Sequence, residues 1–585
     1  MKRREHAVAL TIVLLSTLVA FLPVLRNDFV NWDDPDVIVD NQELGGPNVV
    51  RWAFTTTVIG HYQPIAWLVW SAVKSRFGVS APAFHAVSLA AHLVNALLVY
   101  IVAWRLTSFT SLKPRQRLIA ATVASIVFAV HPVRVEAVAW ASALPYELSL
   151  ALLLFSLLAY IRPADDNRQS TIHNKSAIRN PQSAMWVTLS FLSYVASLLA
   201  RASAIGFAVV LLLLDVYPLR RRDNTQRLLL EKVPFLVAGI AAAVAESRAR
   251  EMATLQEVSL GARVTMAVAA PFAYVGRTVW PVRLTPLDPL PIAPAIDWVP
   301  LVLAAMAFVA ISAIAWKLRR LSPAVGVGWA AYVVLLAPVA GLTPSGLQAT
   351  ADRYMYVPGV IVAILLGATV ARLRLSPRVS AICAAIAIAA IATLGVLTRR
   401  QTEWWHDSIT LWTRAAALDP RNDIATYNLA IALAAAGREP EAIARYEETL
   451  RLVPDHTLAR RDLTRLRAAE AEREGGRLAD AGRFEEANAQ YSRALTLDST
   501  RSHARAARGM VLLQLGRVKE AGTDLQIAYD AGDRDAAVLN ALAFVLMQTG
   551  RTADAIAILE DGVSRYPDDQ NIARNLRALE LRTKN

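Results

Sequence analysis

The chain has 585 residues, of which 55% are hydrophobic and only 19% are charged, and its mean hydropathy is +0.36. The apolar residues are concentrated in runs, which indicates an integral membrane protein. The formal net charge of +13 comes from basic residues that lie mainly between these runs, a placement that argues against nucleic-acid binding. The single cysteine, Cys383, excludes a disulfide within the chain and a cysteine metal site.

The apolar runs predict about eleven helical spans. The first follows the basic start MKRREH and lacks a convincing small-residue cleavage site, so it is predicted to be retained. The predicted spans lie at 7–25, 82–104, 118–133, 142–161, 185–200, 203–217, 232–246, 298–316, 324–341, 355–371 and 379–397. A further run, 264–283, is interrupted by Pro271, Gly276, Arg277 and Pro281 and is predicted to be interfacial or re-entrant.

Alternate loops of this scheme are basic, which places the N-terminus in the cytoplasm. The basic loops lie at 113–117, 162–179, 220–227, 317–320 and 372–378, and include Lys175, Arg179 and Arg222. The segments VNWDDPDVIVD, HPVRVEAVAW and QATADRYMY then fall on the far side of the membrane, with everything after residue 398. The predicted location is a bacterial inner membrane, with these loops and the tail on the periplasmic side.

The tail is charged, rich in alanine and repetitive. A Gly-Arg pair is followed by an acid and an alanine at 437–442, 482–487, 516–521 and 550–555, and the last three copies are 34 residues apart. This period predicts about four tetratricopeptide helix pairs at 423–585, with an eleven-residue insertion around 457–467. Residues 399–422 are predicted to be an unpaired connecting helix. The predicted fold is therefore all-α, a polytopic membrane bundle at 1–398 followed by an α-solenoid.

Four carboxylates, Asp33, Asp34, Asp36 and Asp40, follow the first span, next to Trp32. One explanation is a solvated loop, because Asp-Pro is common turn chemistry. Other polar residues on the same predicted side favour a shared wet cavity, because ionisable groups at membrane depth usually face one. These residues are His61, His85, His92, Asn95, His131, Arg134, Glu136, Asp352 and Arg353.

The alternative for the stripe of His85, His92 and Asn95 is hydrogen bonding between helices. The histidines show no recognisable metal-ligand spacing.

Six segments in order resemble the transmembrane-and-TPR O-mannosyltransferase family and its bacterial relatives. They are NWDD, HYQPIAWLVW, FHAVSLAAHLVNALLVY, FAVHPVRVEAVAWAS, WPVRLTPLDP and ADRYMYVPG, and the repeats follow them. The resemblance covers nearly the whole chain. It implies a GT-C class glycosyltransferase that takes a sugar, mannose-type by preference, from a polyprenyl-phosphate donor and uses an acidic motif in the first external loop.

The resemblance also implies roles for single residues. One of Asp33 and Asp34, with Asp34 preferred, removes the proton from the acceptor hydroxyl, and the other orients it or holds a divalent metal. Arg353, or Arg134 as second choice, stabilises the phosphate leaving group, although pairing of Arg353 with Asp352 is the alternative. Relatives carry a Lys-Glu pair between the fifth and sixth spans, where this chain has Arg201 and Ala202, which puts donor choice or activity in doubt.

The repeats are expected to bind a protein or peptide acceptor, with Tyr427, Asn428 and Asn540 on first helices of repeats. Two other functions stay open. One is a membrane-anchored scaffold without catalysis. The other is a polymerase or ligase of lipid-linked glycans, for which the basic residues of the loop 247–297 would matter.

Overall fold

A computed structural model of the chain describes residues 3–169, 181–221, 225–249, 258–290, 298–342 and 346–584. Lys175, Arg179, Arg222 and parts of the loop 247–297, named above, lie outside the described residues. The chain forms two compact units, residues 1–428 and 429–585. The all-α prediction is confirmed, with one two-stranded ladder added within the described part of the chain.

The first unit consists mainly of helices, and several helices begin with a proline in their first turn, where a missing N–H costs no hydrogen bond. Its first ten helices are α1 Arg3–Phe21, α2 Val49–Thr55, α3 Pro64–Phe77, α4 Ala81–Ser108, α5 Pro114–Ala129, α6 Val135–Ala139, α7 Leu144–Gln169, α8 Pro181–Ala200, α9 Phe207–Val216 and α10 Thr225–Ala249. The next helices are α11 Leu260–Val279, α12 Trp298–Leu318, α13 Pro323–Leu336, α14 Gly359–Arg372, α15 Pro377–Glu403, α16 Ser408–Leu418 and α17 Asp423–Ala435.

The ladder pairs β1 Asp288–Pro289 with β2 Gln348–Thr350 in antiparallel register, with Asp288 opposite Thr350. It joins the loop after α11 to the short 3-10 turn Asp352–Met355 that precedes α14. The segment 264–283 contributes most of helix α11, which continues through Pro271. The Pro271 carbonyl accepts a hydrogen bond from Tyr332 Oη at 3.0 Å.

Seven described helices are long and apolar enough to cross a membrane by length and composition, and they coincide with seven of the expected spans. They are Arg3–Arg26, Ala81–Ser108, Ala141–Pro163, Gln182–Ala200, Thr225–Ala249, Leu301–Leu318 and Pro377–Glu403. The expected span 118–133 is a pair of helices bent by 58°, which makes an eighth if it counts as one span. The remaining three expected spans are shorter apolar helices, Phe207–Val216, Pro323–Val339 and Gly359–Arg372.

The second unit contains the repeats. After α17 its helices are α18 Glu439–Leu452, α19 Thr457–Asp480, α20 Phe484–Leu497, α21 Ser502–Gln514, α22 Val518–Asp530, α23 Ala536–Gln548, α24 Thr552–Arg565 and α25 Gln570–Lys584. The insertion expected around 457–467 is helical, since α19 runs without a break for 24 residues. It therefore lengthens the first helix of one repeat instead of adding a loop.

The repeated Gly-Arg signature has a structural explanation. Gly437, Gly482, Gly516 and Gly550 each adopt a positive φ of 72° to 81°, which ends the preceding helix. The arginine that follows pairs with the acid three residues later, as Arg438 does with Glu441 at 2.7 Å. The alanine after that acid, Ala442 in the first copy, is fully buried where helices touch. The signature therefore marks the turn and contact point of each helix pair.

Candidate functional site

The acidic loop is held against the end of α15 and against α16. Asn27 Nδ2 donates to the carbonyl of Thr402 at 3.3 Å, and the Asp28 amide donates to the carbonyl of His406 at 2.7 Å. Trp412 Nε1 donates to Asn31 Oδ1 at 2.6 Å. The segment expected to be only a connecting helix therefore packs on the loop and fixes its path.

Asp34 is a buried, fully bonded carboxylate. It is 1% exposed, and it accepts hydrogen bonds from the amides of Val30 at 2.9 Å and Ser142 at 3.0 Å, and from the Ser142 hydroxyl. Burial raises the pKa of Asp34 to about 7, against the effect of these donors, which lower it. With its oxygens directed at Val30 and Ser142, Asp34 is placed to position the loop rather than to receive a substrate proton.

Asp33 has a different environment. Its side chain is half-buried, and within the described ranges no group donates a hydrogen bond to its carboxylate. Burial raises the pKa of Asp33 to about 6, although the positive charges of Arg353 and Arg201 lower it. A carboxylate with free oxygens and a pKa near 6 suits a general base at neutral pH. The geometry therefore favours Asp33 over Asp34, the reverse of the preference drawn from the sequence.

Four tryptophans form a wall beside these acids. The ring of Trp32 stacks on Trp140 at 4.9 Å and contacts Trp412 at 5.3 Å between ring centres, and Trp140 stacks on Trp405 at 6.0 Å. The guanidinium of Arg353 lies 4.9 Å from the centre of the Trp140 ring, within cation–π range. Trp405 and Trp412 come from the segment after the last predicted span, so that segment completes the wall.

The alternative of an Arg353–Asp352 pair does not occur in the structure. Arg353 pairs with Glu136, which accepts from both its guanidinium and its backbone amide, instead of with Asp352. Asp352 pairs with Arg277 at 3.0 Å, and Arg277 also contacts Asp288 at 2.9 Å. Burial raises the pKa of Asp352 to about 7, while Arg277 lowers it. Arg353 thus keeps its charge beside Asp33 while Glu136 fixes its position.

Arg201 is a second cation at the acids, although the sequence patterns assigned it no role in the site. Its guanidinium donates to Gln63 Oε1 at 3.1 Å and to Tyr146 Oη at 3.0 Å, and lies 3.4 Å from His61 Nε2. His61 Nδ1 contacts Glu246 at 3.0 Å. Through His61, Arg201 is thus linked to a carboxylate of α10, Glu246, which lies 45 positions later in the chain.

The other cavity candidates have partners in the protein interior. His92 lies between Tyr356 Oη at 2.7 Å and the Ala129 carbonyl at 2.9 Å, His85 faces the Asp28 carbonyl at 3.3 Å, and His131 faces the Thr278 carbonyl at 2.8 Å. Arg134 is 3% exposed and donates to the carbonyls of Phe128 and Met355. These contacts favour helix-joining roles, and two backbone carbonyls occupy the guanidinium of Arg134, the second choice for the phosphate.

Gly359, the first residue of α14, gives a test of this packing. A Cβ at this position would overlap the guanidinium of Arg134, which holds the Met355 carbonyl. We expect Gly359→Ala to lower the stability of the solubilised protein by about 1 to 3 kcal/mol, because the overpacked guanidinium has to move. Thermal unfolding measures this. Gly395→Ala on α15 is the matched control, because its Cβ meets no atom within 4 Å; equal melting temperatures of the two variants would contradict the packing.

The predicted acceptor residues belong to both units. Tyr427 and Asn428 lie on α17 within the first unit, and the Asn428 carbonyl accepts from Asn31 Nδ2 at 3.1 Å. Asn540 lies on α23 in the second unit and accepts from Asn575 Nδ2 at 2.9 Å. It lines a groove of about 600 Å³ between α23, α24 and α25, together with the exposed Phe544.

A divalent metal was the other expectation for the acids. Across the described ranges, no three His, Cys, Asp or Glu side chains are arranged to hold a metal ion. Asp34 is already occupied by Val30 and Ser142, which leaves Asp33 alone of this adjacent pair as a ligand with free oxygens. The described residues therefore offer no ready three-ligand metal centre at the acids, and the proposed reaction uses protein groups alone.

Comparisons with known proteins identify the tail. Residues 396–457, 473–536 and 507–570 match the tetratricopeptide repeat family. No curated protein matches this chain. Solved structures with a similar part include MamA 41-end from Desulfovibrio magneticus RS-1, at 15% identity over 28% of this chain and 86% of that one, with a TM-score of 0.18. YrrB, titled a TPR protein with an unusual peptide-binding site, is 17% identical over 29% and 82% of the two chains, with a TM-score of 0.19.

A third structure, the thermophilic TPR protein TTC0263 from Thermus thermophilus, is 22% identical over 32% of this chain and 95% of that one, with a TM-score of 0.16. All three similarities cover about a third of this chain or less. The family match extends from residue 396 to 570, so it includes the predicted connecting helix. The C-terminal region of the chain consists of tetratricopeptide repeats.

Proposed function

We propose that this protein is a membrane glycosyltransferase of the GT-C class, which moves a mannose-type sugar from a polyprenyl-phosphate donor to a hydroxyl of an external protein. The acceptor is bound by the tetratricopeptide repeats. The observation that carries the proposal is the setting of Asp33, a carboxylate without hydrogen-bond donors among the described residues, beside two arginines and a tryptophan wall. The resemblance to the transmembrane-and-TPR O-mannosyltransferases supplies the reaction class.

The residues have distinct roles in this reaction. The acceptor oxygen attacks the anomeric carbon, its proton passes to Asp33, and the bond from that carbon to the phosphate oxygen breaks with its electron pair leaving on the phosphate. Arg353 and Arg201, which both lower the pKa of Asp33, offer positive charge for the phosphate. Asp34 holds the loop through Ser142, and Glu136 orients Arg353.

Exposed apolar helices support the membrane placement. The most apolar stretch of α15 has no buried residue, and Ile382, Ile386 and Ile388 are each at least 60% exposed. On α12 only 6% of the corresponding stretch is buried. Continuous apolar surface of this extent is unfavourable in water and favourable against lipid chains.

The placement makes a prediction about the C-terminus. From a cytoplasmic start, seven spans, or eleven if the bent pair and the three shorter helices also cross, carry the repeats outside, whereas eight spans leave them in the cytoplasm. We expect a reporter enzyme fused after Asn585 to be active only on the external side. A fusion of the same reporter in the basic loop 372–378 is the control, and it should be inactive because this loop is expected in the cytoplasm. Cytoplasmic activity of the C-terminal fusion would put the repeats on the wrong side for external acceptors.

The direct test of the function is transfer by the purified full chain. Radiolabelled polyprenyl-phosphate mannose is offered with an external protein, and label on protein serine or threonine is measured. A second function is favoured by the repeat match itself, a membrane-anchored scaffold without catalysis. Protein binding without label transfer would support the scaffold, and label on a lipid-linked glycan would support a polymerase or ligase.

A further inference from the structure

An apolar cavity lies among five helices of the first unit, α4, α7, α9, α13 and α14. Its empty space, which includes the open end, amounts to about 990 Å³, and its lining is almost entirely aliphatic, with Leu150, Leu154 and Leu157 of α7 facing Val360 and Ile364 of α14. The lining runs along α14 from Val360 to Arg372, which is on the order of 18 Å of helix, or about three fifths of a bilayer's hydrocarbon thickness.

The two ends of the cavity differ in burial. Val357, Leu150 and Phe207, at the end that adjoins the 3-10 turn of Arg353, are all at most 4% exposed. At the other end Ala324 and Ala368 are half-buried and Arg372 is exposed. The cavity is therefore closed toward the proposed catalytic residues and open at the end of α14 that carries Arg372.

Arg372 is the basic group at this opening. Within the described part of the chain, its guanidinium has no hydrogen-bond or ion-pair partner. The hydroxyls of Thr107 and Thr110, also at the opening, donate to the carbonyls of Ala103 and Thr107 at 2.7 Å. An unpaired guanidinium above an apolar cavity matches the two parts of an anionic lipid, a phosphate and a hydrocarbon chain.

We infer that this cavity binds an anionic membrane phospholipid, with an acyl chain among α4, α7, α9, α13 and α14 and the phosphate at Arg372. The inference rests on the proposed membrane placement but not on the proposed transfer reaction. A polyprenyl-phosphate donor would require the opposite polarity, since its phosphate belongs beside Arg353 and Asp33, where the cavity is closed. The phospholipid site is therefore separate from the donor site.

Photo-crosslinking of the full chain in mixed micelles tests the inference. The probes are phosphatidylglycerol and phosphatidylcholine, each with a diazirine on one acyl chain, and crosslinked peptides are mapped by mass spectrometry. We expect phosphatidylglycerol to label α7 and α14 several-fold more than phosphatidylcholine. Arg372→Gln should remove most of that preference, whereas Arg374→Gln, an exposed arginine outside the cavity, should retain it.

A cavity-filling change, Ala368→Phe, should reduce labelling by both lipids. Equal labelling by the two lipids would overturn the headgroup assignment. So would an equal preference for phosphatidylglycerol in the two arginine variants, whatever the result for Ala368→Phe. Displacement of the probe by unlabelled polyprenyl phosphate, but not by unlabelled phosphatidylglycerol, would assign the cavity to the donor instead. Loss of protein from the membrane fraction after alkaline extraction would contradict the membrane placement. Absence of sugar transfer would contradict the proposed reaction but not the lipid site.

Discussion

Replacement of Asp33 by asparagine is expected to lower the rate of sugar transfer by a factor of about 100 to 10,000, the usual cost of losing a general base. Asparagine keeps the size of the side chain and removes the proton acceptor. Because the Asp33 carboxylate receives no hydrogen bond in the described structure, the substitution breaks no side-chain hydrogen bond. Asp36→Asn, a change at an exposed acid of the same loop, should leave the rate within about twofold of the wild type.

The pH profile of the same reaction distinguishes a base from a positioning residue. Burial raises the pKa of Asp33 to about 6, so the active, deprotonated form is lost as the pH falls through that value. At about pH 5 the wild-type rate should be roughly a tenth of its plateau. The residual activity of Asp33→Asn should lack this inflection.

Asp34→Asn should also slow transfer, because an amide nitrogen would face the N–H donors of Val30 or Ser142. It should retain the inflection near pH 6, since Asp33 is still present. If the inflection disappears in Asp34→Asn and persists in Asp33→Asn, Asp34 is the general base and Asp33 the positioning residue. Full activity of both variants would leave the two acids without a role in transfer.

The sequence predicted the helices well because a helix of this kind is defined by its own apolar run. Each of the eleven expected runs contains a helix, and the repeat period located the solenoid. Lengths were less accurate. The run 203–217 contains a ten-residue helix after a 3-10 turn, because the chain at Arg201 leaves the helical path to donate to Gln63 and Tyr146.

The site was harder to predict because its contacts join distant parts of the chain. The acid loop and Arg353 were recognised, but nothing in the sequence near Arg353 shows that Glu136, 217 positions away, holds it. Ser142 and Asp34 are 108 positions apart. Polar residues that join helices by hydrogen bonds, such as His92, are indistinguishable in sequence from residues that face a substrate.

The position of the connecting segment also decides how the role of the repeats is tested. A cut after residue 400 would remove Trp405 and Trp412, which stack on Trp140 and contact Trp32, and would disturb the acids. A cut after Pro454 retains these residues together with α17 and α18. It removes the groove that contains Asn540 and Phe544.

The chain that ends at Pro454 is expected to transfer sugar to a protein acceptor at least about tenfold more slowly, since the loss of ~1.4 kcal/mol of acceptor binding corresponds to a factor of ten. Turnover of the donor with a simple alcohol should continue, because Asp33, Arg353 and Arg201 are unchanged. In the full-length protein, Phe544→Ala should also slow transfer to the protein acceptor, by raising the KM for that acceptor. Ile527→Ala changes a similarly exposed side chain on α22 and should leave this KM unchanged. If the shortened chain modifies protein at the full-length rate, the repeats do not select the acceptor, and their binding belongs to a partner other than the substrate.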